Sequence, residues 1–188
     1  MNEKEDTNPY EPPKSQVDIG ASSTVAPYFF TTSALKLTLM SICTFGLYEL
    51  YWFYKNWVLI KVRTGTKIMP FWRAFFAPLW AYSCFRHIKN SAGENNIPES
   101  LSIGLLAIVY FIAQALWRLP DPFWLISLFS FALIIPANNV ALKINNQLIT
   151  DFQNNDQFSG WNWAAIVLGG LLFLLGIIGT FLPEVPNA

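Results

Sequence analysis

Glu49, Asn56 and Arg63 recur every seven residues within an apolar stretch, so a helix carries all three on one face. A carboxylate inside such a segment is expensive to desolvate and needs a partner or an aqueous neighbour. Two chemistries suit it. Glu49 can handle a proton or cation, or it can pair structurally with Arg73, Arg86 or His87 of the amphipathic segment that follows. The ion pair is the expected role. His87 is the only histidine and is flanked by Arg86 and Lys89. With no second histidine and no cysteine cluster it cannot build a structural metal site, and it reads as an interfacial basic residue. Cys84 and His87 can meet on a helix at i and i+3. No carboxylate or oxyanion donor accompanies them, however, and the GxSxG, HExxH, P-loop and strand-linked GxGxxG patterns are absent from the sequence. The expectation is therefore no enzyme, no cofactor and no metal.

The elements that must position these residues are hydrophobic. Of 188 residues, 53% are hydrophobic, 16% aromatic and 13% charged. Soluble domains carry about 25% charged residues. Trp161 to Leu182 is a run of twenty-two residues without a charge. As a helix it is about 30 Å long, the thickness of a bilayer core. The net charge is zero, which gives no pull toward nucleic acid. Cys43 and Cys84 lie in apolar stretches and read as small buried hydrophobes. The opening residues MNEKEDTNPYEPPK are acidic and proline-bearing, unlike a cleavable signal.

The fold class expected is an all-α integral membrane protein, with about four transmembrane helices and one interfacial amphipathic helix. Residues 1–30 read as a disordered tail, with an NPYxPP-like leader at 8–13, followed by a helical membrane domain over 31–183 and a short C-terminal tail over 184–188. The expected spans cover about 33–57, 101–119, 123–148 and 161–182. Residues 70–89 have an apolar centre too short to cross and form a helix kinked at Pro78 in the interface. Residues 91–100 and 150–160 read as polar loops, and Arg118 to Pro122 as a tight turn. Pro136 is expected to kink the third span, and Gly169, Gly170 and Gly176 to allow close packing of the fourth. With four spans, eight Lys and Arg residues collect on one side and four on the other, placing the loop after residue 57 in the cytoplasm. The alternative is a re-entrant hairpin broken at Thr44-Phe45-Gly46, which keeps the N-terminus inside.

Asn56 to Lys61 and Asn138 to Lys143 share their Asn-to-Lys spacing at the end of an apolar segment, each followed by a Trp-bearing return. A duplicated unit and chance similarity both account for this. Aromatic residues crowd the stretch TFGLYELYWFYKNW at 44–57. Tyr48, Tyr51, Trp52, Tyr54 and Trp57, with Lys55 and Lys61, read as an interfacial anchor at a cytoplasmic exit. Lys55, Lys61, Arg63 and Lys67 are suited to attract anionic lipid headgroups. This stretch resembles the TFGxYxxYWxYK-type motif of a bacterial membrane family, domain of unknown function 4234. The similarity covers about thirty residues near the first hydrophobic segment. It implies a helical fold in a bacterial inner membrane and brings no activity or catalytic residue. The expected function is that of a small multi-pass protein acting through the lipid bilayer, through another membrane protein or through a second copy of itself. A transporter or channel subunit using Glu49 is the alternative.

Overall fold

A computed structural model of the chain describes residues 26–181, and among them the only regular elements are helices. The single helix expected over 33–57 is instead two: α1 (Ala34–Cys43) and α2 (Leu47–Thr64). Between them the backbone closes a Schellman motif. Gly46 N–H donates to Ser41 O at 2.8 Å and Phe45 N–H to Ile42 O at 3.2 Å. Phe45 and Gly46 both take positive φ, 51° and 83°. The Thr44 hydroxyl donates to Met40 O at 2.6 Å and accepts from Tyr48 N–H at 3.0 Å. One threonine thus satisfies the end of α1 and the start of α2 together. The Thr-Phe-Gly of the motif is a helix corner.

Residues 70–89 also divide, into α3 (Pro70–Phe75) and α4 (Ala77–Glu94). Pro78 lies in the first turn of α4, where its missing N–H has no helical partner to lose. α4 continues to Glu94, so the expected loop begins later. It buries Ala77, Ala81, Cys84, Phe85, Ile88 and Ala92 at helical spacing and forms a wall of the core. Its opposite face leaves Leu79, Trp80 and Tyr82 exposed.

α5 (Ile103–Ala115) runs into a short 3₁₀ turn at Leu116–Arg118. A longer 3₁₀ segment, Phe123–Leu133, leads into α6 (Ile135–Leu148). Pro136 falls in the first turn of α6, so it marks a change of helix type and not a kink within one helix. α7 (Gly160–Phe181) has no buried residue. It meets α1 at Gly169, where an added Cβ would sit 1.8 Å from Cys43 O. Gly176 has nothing within 4 Å of its Cβ position, so of the three expected packing glycines it is the one not used.

Two helical stretches are long and apolar enough to cross a membrane, Phe123–Leu148 and Gly160–Phe181. The other two expected spans appear as shorter helices, because the corner at Phe45-Gly46 ends α1 after 10 residues and α5 has 13. Inside, Phe53 of α2 lies between Phe85 of α4 and Tyr110 of α5, at centroid distances of 6.0 and 5.5 Å.

Candidate functional site

The buried faces of α2 and α6 present a set of asparagines, and each grips the peptide groups of one residue of the segment before α1, Asn145 also donating to Thr31 Oγ1 at 3.3 Å. Asn145 accepts from Phe29 N–H at 2.9 Å and donates to Phe29 O at 2.7 Å. Asn56 accepts from Phe30 N–H and donates to Phe30 O, both at 3.1 Å. Asn138 accepts from Thr32 N–H at 3.2 Å and donates to Thr32 O at 2.7 Å. A carboxamide matches a peptide group in this way because it carries one acceptor and a donor pair in one plane. All three asparagines are fully buried. Asn138 and Asn145 are seven residues apart, a rise of about 10.5 Å, close to the reach of three extended residues. That explains why they take Thr32 and Phe29, and why the strap runs opposite to α6.

Residues 28–32 are therefore a strap held in the core, where residues up to 30 were expected in a disordered tail. The leader at 8–13 and the C-terminal tail lie outside the described residues. Arg63 adds to the hold. Its guanidinium donates to Tyr28 O at 2.5 Å and stacks on the rings of Tyr28 and Phe29, 3.8 and 4.4 Å from their centroids. It is half-buried and turned toward the strap. The loop after α6 covers the other side. Thr31 Oγ1 donates to Asn154 Oδ1 at 2.7 Å, and Thr32 Oγ1 to Asn155 O at 2.9 Å. Asn56 and Arg63 were legible candidates, whereas Asn138 and Asn145 were missed as site residues. The echo of Asn56 in Asn138 was their signal, and the two do the same job on one strap.

Glu49 is 1% exposed and makes no contact to Arg73, Arg86 or His87 within ion-pair distance. Its oxygens accept from Ser130 Oγ at 2.8 and 3.0 Å and from Gln114 Nε2 at 3.1 Å. Gln114 also reaches Tyr110 Oη at 3.2 Å. The expected ion pair is thus replaced by a neutral donor cluster joining α2, α5 and the 3₁₀ segment. Glu49 stands in the first turn of α2, where the helix dipole favours a carboxylate. Among the described residues the one ion pair is Lys89–Glu99 at 3.2 Å.

The basic residues expected beside Glu49 gather elsewhere. Arg73 stacks between Trp57 and Trp80, 4.5 and 4.3 Å from their ring centroids. His87 meets Trp57 edge-on at 5.9 Å, and Arg86 is exposed near Tyr82. Burial, with Arg63, Arg86 and Arg73 nearby, pushes the His87 imidazole below its usual value. The aromatic anchor also divides. Trp52 and Trp57 are fully buried and Tyr48 nearly so, with Trp52 Nε1 donating to Asn138 Oδ1 at 3.0 Å. Only Tyr51, Tyr54, Lys55 and Lys61 face outward to some degree. Both cysteines are free thiols, Cys84 fully buried. No family model, curated protein or solved structure matches the chain.

Proposed function

We propose that this chain is a small polytopic membrane protein, non-enzymatic, that works through contact with lipid and with a membrane partner. The observation that carries the reading is α7, an uncharged and mostly apolar helix of 22 residues with none buried. Leu168, Leu171, Leu172, Leu174, Leu175, Ile178 and Phe181 are each more than half exposed. Leaving those seven side chains in water forfeits on the order of 10 kcal/mol of burial. A bilayer or an apolar partner supplies it. Phe71, Trp72, Phe75 and Trp80 form a second exposed apolar surface on α3 and α4, with Lys61 and Lys67 exposed on the approach to it. Aromatic rings beside lysines suit the headgroup region of a membrane with anionic lipid. The resemblance of residues 44–57 to domain of unknown function 4234 supports a bacterial inner membrane as the setting.

Alkaline carbonate washing of membranes from a bacterial host expressing the chain tests the placement. Retention in the pellet is expected, and release with peripheral proteins would overturn it. The second reading, a transporter or channel subunit, draws on one observation: Glu49 is buried among Ser130 and Gln114 without a cation. Solute flux in vesicles that disappears in a folded Glu49→Gln variant would favour it over the first.

A further inference from the structure

A cavity of about 390 Å3 lies between α1, α2 and the first turn of α7. At its polar end stands Lys36, which is 2% exposed. The ammonium donates to Asn155 Oδ1 at 3.0 Å and Gln157 O at 2.7 Å. With its amide oxygen turned inward, Asn162 lies 3.2 Å from the same nitrogen. All three partners are neutral, so the charge is solvated but not cancelled. No carboxylate lies within ion-pair distance among the described residues. Asp156, the acidic group nearby, is exposed and bonded to Asn154 Nδ2 at 2.6 Å. Ser159 and Trp161 bring the start of α7 to the rim, where the helix dipole is positive. Tyr48, also on the lining, is buried with a hydroxyl that has no partner.

We propose that this cavity binds one phosphate-bearing anion, the headgroup of an anionic phospholipid. A phosphate oxygen can take the Lys36 N–H that otherwise meets the Asn162 amide oxygen, and the uncancelled charge and the positive helix end favour it there. The remaining lining favours a lipid over free phosphate. Met40 and Ala165 make the far side apolar, and beyond Ala165 the open faces of α7 continue as Leu168 and Leu172. Acyl chains can follow that surface while the headgroup stays at Lys36. The site rests on the membrane reading above and gives it a particular ligand.

The test uses the full chain in mild detergent, with retained lipid counted by native mass spectrometry. Dioleoylphosphatidylglycerol is expected to be held about tenfold better than dioleoylphosphatidylcholine, the change that one charge-assisted hydrogen bond makes. Lys36→Gln should remove that preference. Because Lys36 also ties the loop to α1, a second variant is needed that leaves the lysine in place. Asn162→Asp is isosteric and sits in the first turn of α7, where a carboxylate is tolerated. It sets an internal anion beside Lys36 and should also abolish the preference. Equal retention of both lipids, or an unchanged preference in Asn162→Asp, would overturn the site. Phosphatidylglycerol retention unaffected by millimolar inorganic phosphate supports the lipid, whereas displacement by it would overturn the lipid in favour of free anion. A chain that survives the carbonate wash yet shows no preference refutes this proposal alone. A chain released by the wash refutes the membrane placement itself.

Discussion

Replacing Asn138 with leucine removes side-chain partners from three buried groups at once: Thr32 N–H, Thr32 O and Trp52 Nε1. Leucine has similar volume, so packing changes little while the hydrogen bonds vanish. Each orphaned buried group costs about 1–3 kcal/mol, giving roughly 3–9 kcal/mol in all. That range overlaps the entire stability of a typical fold, about 5–15 kcal/mol. At about 2–4 °C per kcal/mol for a chain of this size, the lower limit is a fall in Tm of at least about 6 °C. Asn56→Leu and Asn145→Leu each strand two strap groups, the N–H and O of Phe30 and of Phe29, and should cost less. Asn139→Leu is the control, since Asn139 is exposed. The assay is thermal unfolding by circular dichroism in detergent, with protease cleavage at residues 28–32 followed in parallel. The expected order of damage is Asn138, then Asn56 and Asn145, then Asn139. An Asn138→Leu protein as stable as the Asn139→Leu control would refute the clamp.

Gly169→Ala puts a Cβ into Cys43 O and should destabilise the α1–α7 contact by about 1–3 kcal/mol in detergent melting, while Gly176→Ala, with open space, should be neutral or slightly stabilising. His87 titrates below its usual 6.5 in the fold, so its contribution to stability is present above that value and lost as pH falls through the folded pKa. Melting measured from pH 7.5 downward should therefore decline on the acid side, and His87→Gln should flatten that decline; an identical slope in the variant would exclude His87 as its cause.

The sequence was readable where periodicity governs. α7 follows from an uncharged run, and the buried face of α2 from the seven-residue spacing of Glu49, Asn56 and Arg63. Thr44-Phe45-Gly46 marked a break, and the corner falls there, but the backbone bond from Gly46 N–H that closes it goes to Ser41, which carries no such label. The strap was illegible for a different reason. Tyr28 to Thr32 forms no regular element, and its asparagine partners lie 26, 106 and 116 residues away in the chain. The aromatic anchor, assigned from residue type alone, divides between two faces. Tyr51, Tyr54 and Lys55 share the outer side of α2, whereas Tyr48, Trp52 and Asn56 repeat at four-residue steps on the buried one. Glu49 shares a face with Arg63, but its partners come from α5 and the 3₁₀ segment, which no local spacing reveals.

Membrane burial of α7 is most directly measured by cysteine labelling in native membranes. Leu172→Cys, on the exposed apolar surface of α7, and Gln153→Cys, in the polar loop before it, are each made in a Cys43→Ser background; Cys84 is buried and stays. A membrane-impermeant maleimide should label Gln153→Cys in intact or opened vesicles and leave Leu172→Cys unmodified until the membranes are dissolved in denaturing detergent. Labelling of Leu172→Cys at the rate of Gln153→Cys would mean that water, and not lipid or a partner, covers α7, and would contradict the membrane assignment.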